Sequence, residues 1–222
     1  RAANWARQKA LGATVIPSND FSLYDHVLDT SVMVGAIPER YGRFGAPAGL
    51  ETYFTMARGS QADDGHDHGH AHDHPHDHPH GEAHGLPALE MTKWFDTNYH
   101  YLVPELRSDQ AFAVGSTKAV DEYREARALG YATRPVLLGP VSWLKLAKAV
   151  GGAFDTLSLL PRLLPVYVEV LRRLAASGAE WVQIDEPCLV LDLDEAARAA
   201  LRQAYGMFAH ALPKLKLMLT TY

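Results

Sequence analysis

Short runs of consecutive β-rich apolar residues alternate along this chain with longer stretches in which apolar residues return every three or four positions. The runs at Val15–Ile16, Val136–Leu138, Val182–Ile184 and Leu217–Leu219 predict buried strands. Helical spacing predicts helices over residues 1–11, 22–34, 50–58, 116–129, 143–150, 161–177 and 194–212. Asp20 or Ser22 is a cap for the second of these. Strand and helix in alternation demand a mostly parallel sheet covered by helices.

Polar or special residues gather behind the strands, at Asp20, at Lys93 to Asn98, at Gly139-Pro140, at Asp185-Glu186 and at Thr220-Thr221. Such one-ended clustering favours a TIM-type (β/α)8 barrel, an α/β fold whose chemistry sits at the carboxyl ends of its strands. A doubly wound sheet would carry a glycine-rich phosphate loop instead. A complete barrel takes about 250 residues, and only five or six strands are legible in these 222 residues. The chain also opens inside a helix without Met and closes where a strand should feed a loop. It reads as an incomplete barrel, residues 1–222 being part of a longer polypeptide.

One segment breaks the alternation. Residues 60–88 hold nine histidines, His66, His68, His70, His72, His74, His76, His78, His80 and His84, interleaved with Asp, Gly, Pro and Ala. Prolines and glycines oppose a helix there and no apolar side chain asks to be buried, so the segment reads as a His-rich disordered surface insert. Imidazoles and carboxylates at that density have affinity for divalent zinc, nickel or copper. A catalytic metal needs few ligands held rigidly, which points to buffering or adventitious binding rather than to mechanism.

Composition narrows the partners. The chain is 47% hydrophobic and 21% charged, with a formal net charge of -5, ordinary for a globular protein. No basic block suggests nucleic acid, and no run of about 18 apolar residues suggests a membrane span. A cytoplasmic location is the expectation. The lone Cys188 excludes an internal disulfide within the chain and reads as a small buried residue.

The densest chemistry lies in residues 90–105, Glu-Met-Thr-Lys-Trp-Phe-Asp-Thr-Asn-Tyr-His-Tyr-Leu-Val-Pro-Glu. Lys93 beside aromatics and amides suits a planar, polar heterocycle with negative charge, because rings stack and an ammonium pairs with carboxylates. The same residues also fit ordinary core aromatics with a turn at Asp96, Thr97 and Asn98 between two short strands. Asp185 and Glu186 end the strand that starts at Glu180, and successive strand residues point to opposite faces. They serve as a ligand anchor or as a structural pair fastening loops. Asp25 and His26 diverge by about 100° on a helix and read as surface residues rather than an acid/base pair.

Several of these runs resemble one family. Glu-Met-Thr-Lys-Trp-Phe at 90–95, Asp-Phe-Ser-Leu-Tyr-Asp-His-Val-Leu at 20–28, Pro-Val-Leu-Leu-Gly-Pro-Val at 135–141, Val-Gln-Ile-Asp-Glu-Pro at 182–187 and Leu-Thr-Thr-Tyr at 219–222 are similar to cobalamin-independent methionine synthase. The resemblance implies part of the amino-terminal one of two barrels. It also implies methyl transfer from 5-methyltetrahydropteroyl-triglutamate, a polyglutamate, to homocysteine. In that family a zinc ion in the carboxyl-terminal barrel activates the thiol, so neither the zinc nor the homocysteine site is expected here, and no catalytic residue. By the same resemblance Lys93 is a folate-binding residue; Trp94, Asn98 and Asp185 are further candidates for substrate contact. The His tract departs from the family pattern, and it supports a different expectation, a non-catalytic divalent-metal-binding protein using His66–His84.

Overall fold

The computed structural model describes residues 1–42, 48–61, 85–95 and 97–221. Helix α1 (Ala2–Ala10) leads into strand β1 (Ile16–Ser18), and α2 (His26–Met33) and α3 (Leu50–Arg58) follow. Strands β2 (Met91–Lys93), β3 (His100–Leu102) and β4 (Glu105–Leu106) precede α4 (Lys118–Ala128) and β5 (Thr133–Leu138). Then come α5 (Pro140–Leu146), β6 (Lys148–Ala149), α6 (Leu160–Ala176), β7 (Trp181–Asp185), α7 (Glu195–Ala211) and β8 (Lys216–Thr220).

Strands β1, β5, β7 and β8 lie side by side in that order, every pairing parallel. Because Leu138 pairs with Asp185 and Asp185 with Thr220, the carboxyl ends of β5, β7 and β8 finish level along one rim, with β1 ending opposite Pro135. This is the α/β, barrel-type architecture expected, with four parallel strands in the sheet where five or six were read. The difference lies in residues 90–105, which leave the sheet as the antiparallel hairpin β2–β3, and in the separate two-stranded pair β4–β6.

Helix α6 shows why the helices cover the sheet. Leu160, Leu163, Leu164, Tyr167, Leu171 and Leu174 recur at helical spacing and are buried, while Pro165 sits on the exposed face, where its missing N–H matters least. Together with Trp143, Val182, Ile184 and Phe208 they form the main core. Helix α2 starts later than its apolar spacing suggested. Its cap is Asp25, whose Oδ1 accepts the Leu28 N–H at 2.7 Å. Helix α5 starts earlier than expected and ends at Leu146, so residues 148–149 are a strand, with the Lys148 N–H donating to the Pro104 carbonyl at 2.9 Å.

Candidate functional site

Two adjoining cavities of about 230 and 590 Å3 open at the rim where the parallel strands end. His26 and Asp185 belong to both. Asn19, Asp20, Asp29 and Lys118 line the smaller, while Trp94, Tyr99, Gln183, Pro187 and Thr220 line the larger.

On the β1 side, Asn19 adopts a left-handed backbone, φ 57°, which an Asn tolerates better than most residues. That turn aims its amide Nδ2 at the Val136 carbonyl, 2.8 Å away, and lets its Oδ1 accept from Lys118 Nζ at 2.8 Å. Lys118 also pairs with Asp29 at 3.2 Å and Glu122 at 3.3 Å. Asp29 in turn accepts the Tyr53 hydroxyl at 2.7 Å.

On the β7 side, the two adjacent carboxylates part company as the strand alternation requires. Asp185 faces the cavities and accepts from Gln183 Nε2 at 2.7 Å and from the Thr220 hydroxyl. Glu186 is fully buried and accepts the Ser142 N–H at 2.7 Å, the Val141 N–H at 3.3 Å and the Tyr205 hydroxyl at 3.1 Å. It thereby caps α5, and burial raises its pKa while these donors pull it down. Glu186 is thus the fastener of the structural reading, and Asp185 faces the two cavities. Cys188 is buried, with its thiol pKa pushed up to about 11 by burial, which suits an inert packing residue.

The hairpin supplies the aromatic wall. Trp94 is buried and meets Phe95, Tyr99, Tyr101 and His26 edge-on, with the His26 ring centroid 4.9 Å away at 72°. Phe95 has φ 47°, and the Trp94 N–H donates to the Tyr99 carbonyl at 2.7 Å, closing the turn. The ordinary reading of this stretch, a turn between two short strands, is therefore its local structure. Lys93 and Asn98 are exposed on the hairpin and line neither cavity.

Of the four residues singled out from sequence, Trp94 and Asp185 meet in the cleft and the other two do not. Asp96 and the tract from His66 to His84 lie outside the described residues. His26 was passed over as a surface residue. The surface reading fails for Asp25, which is buried as the extended cap of α2, whereas His26 is exposed and opens to the cleft. Crowding by protein lowers the His26 pKa, and the carboxylates of Asp185 and Asp29 pull the other way. Asn19, Lys118 and Gln183 were also missed, and only the strand order brings them together. Among the described residues no three His, Cys, Asp or Glu side chains converge to hold a metal ion. No helix among them is long and apolar enough to cross a membrane.

A parallel α/β sheet of the barrel type, with an aromatic and acidic cleft at the carboxyl ends of its strands, is the class this geometry defines. Residues 1–222 match the model of the cobalamin-independent synthase N-terminal domain, and the chain belongs to that family. It is 69% identical over 222 residues to the 5-methyltetrahydropteroyltriglutamate-homocysteine methyltransferase of Nitrobacter winogradskyi, covering 100% of this chain and 28% of that protein. The proteins of the same name from Rhodopseudomonas palustris and Bradyrhizobium diazoefficiens are 64% and 62% identical, again over 100% of this chain and 28% and 27% of theirs. The chain thus spans about 28% of the length of the curated relatives it matches.

Proposed function

We propose that this chain is the folate-binding part of a cobalamin-independent methyltransferase that moves a methyl group from 5-methyltetrahydropteroyl-triglutamate to homocysteine, making methionine. The observation that carries this reading is the 69% identity, along the whole chain, to a protein whose name states those two substrates. Lys93 offers an ammonium in solvent on the hairpin that supplies the aromatic wall, which suits the carboxylates of a glutamate tail. Trp94 and Asp185 supply a ring face and a hydrogen-bond acceptor in the cleft, and Asn98 is a fourth contact, on the same hairpin as Lys93. The homocysteine site and the zinc ion that activates its thiol are assigned to another domain, and no step is carried out by a metal at the residues described here. A cytoplasmic location, with neither nucleic acid nor membrane as partner, accompanies this reading.

In the enzyme that carries this chain, Lys93→Ala raises the KM for the folate several-fold to about tenfold, the scale of one charge-assisted contact, with a smaller change in kcat. Steady-state kinetics with an unchanged KM would remove Lys93 from the site.

A second property is proposed for the nine histidines between residues 66 and 84. Their density supports reversible divalent-metal binding near neutral pH, with release as the imidazoles protonate below about pH 6. Should the chain have no methyltransferase role, this would be its function. Calorimetric zinc titration at pH 7.5 is expected to lose most of its stoichiometry when residues 62–85 are deleted, and equal stoichiometry with and without them refutes the proposal.

A further inference from the structure

Among the described residues, the neighbours of Asp185 fill one of its oxygens and leave the other open. Arg134 Nε donates to Gln183 Oε1 at 2.8 Å, so the Gln183 amide must turn its Nε2 toward Asp185, where it donates to Oδ1 at 2.7 Å. The Thr220 hydroxyl donates to the same oxygen. A carboxylate oxygen has two lone-pair sites, so Oδ1 is filled. Among the described residues nothing donates to Oδ2. Among the described residues Lys118 is the only Lys or Arg lining the two cavities, and its three donors are taken by Asn19, Asp29 and Glu122. What remains is acidic, from Asp20 and Asp185, and aromatic, from His26, Trp94 and Tyr99.

We propose that the cleft is a site for a small organic cation, whose single primary ammonium donates to Asp185 Oδ2 while its body lies against the rings of His26, Trp94 and Tyr99. A cation over aromatic faces gains further attraction. A guanidinium or amidinium fork prefers both carboxylate oxygens, and one is already occupied. An anion finds no spare positive charge among the described residues of the cleft. Gln183 and Arg134 are positioning residues, since they decide which oxygen stays open. The ligand class follows from the cleft alone, and a cation seated there competes with the folate contacts proposed for Trp94 and Asp185.

Calorimetric titration of this chain with benzylammonium, benzamidinium and benzoate, at matched ionic strength, tests the proposal. Benzylammonium should bind at least about tenfold more tightly than benzamidinium, and benzoate should give no saturable heat. Asp185→Asn should weaken benzylammonium by about tenfold or more, the scale of a hydrogen bond to a charged group. Gln183→Met should narrow the gap to benzamidinium by freeing Oδ1. The proposal is overturned if no probe saturates, if benzamidinium or benzoate equals benzylammonium on the unmodified chain, or if a natively folded Asp185→Asn binds as before. Near-UV circular dichroism reports the fold of each variant. If a variant unfolds, the order of the three probes on the unmodified chain decides.

Discussion

Gly139→Ala is expected to lower the unfolding free energy by roughly 2.5–6 kcal/mol in urea titration, the sum of an overpacking cost of about 1–3 and the loss of a hydrogen-bonded charge of about 1.5–3. The glycine is not there for its backbone freedom, because φ is -71°, which any residue adopts. It is there for space. A Cβ on Gly139 would lie 2.1 Å from Glu186 Cδ and 2.3 Å from its Oε1. Glu186 is walled in by the Val141 and Ser142 N–H groups and the Tyr205 hydroxyl, so yielding to the methyl group means giving up those donors inside the core. Removing the carboxylate as well, in Gly139→Ala with Glu186→Ala, restores the room. The double variant should therefore lose at least about 1 kcal/mol less than the two single losses added together, as neighbours sharing one contact do. A single variant that loses under about 1 kcal/mol would mean that Glu186 swings aside freely and does not hold α5.

Asp25 carries the second large effect, and it appears as a pH dependence. The carboxylate is buried between the start of α2 and strand β3, where Oδ1 accepts the Leu28 N–H at 2.7 Å and Oδ2 the Leu102 N–H at 3.0 Å. Desolvation outweighs these donors and raises its pKa to about 6. The folded chain therefore holds a proton that the unfolded chain has released. The stability contributed by this group is complete below about pH 4, where both states are protonated, and is lost as pH rises through about 6. A displacement of about two pH units corresponds to about 3 kcal/mol. Other carboxylates titrate in the same range, so the quantity to measure is the unfolding free energy of the chain minus that of Asp25→Asn. That difference should fall by about 3 kcal/mol between pH 3 and pH 7. A flat difference would show that the carboxyl is not displaced from its ordinary range.

Both effects involve residues whose neighbours are far away in sequence, and this marks how much was legible beforehand. All four strands of the parallel sheet overlap apolar runs visible in the sequence, and β5 and β7 bury Leu137, Leu138, Val182 and Ile184, whereas the run at Leu217–Leu219, expected to be buried, lies in the outer strand β8 with Met218 and Leu219 exposed. The glycines Gly12, Gly35, Gly59, Gly130 and Gly178 follow helices and take positive φ, as their position implied. Alternation along β7 separated Asp185 from Glu186 before any coordinates. The hairpin at residues 91–102 was open to two readings, because Lys, Asp and Asn among aromatics serve a turn as readily as a ligand.

Local pattern alone thus determined the helices, the parallel strands, the one-ended clustering of polar residues and the kinship carried by runs such as residues 90–95 and 135–141. Tertiary structure alone decided that Trp94 and Asp185 share a cleft with His26, that Lys93 and Asn98 stay outside it, and that Glu186 fastens α5 instead of facing a ligand. The physical reason is that periodicity is a property of neighbours along the backbone, whereas a cleft at the ends of parallel strands is built from residues that only crossover connections bring side by side.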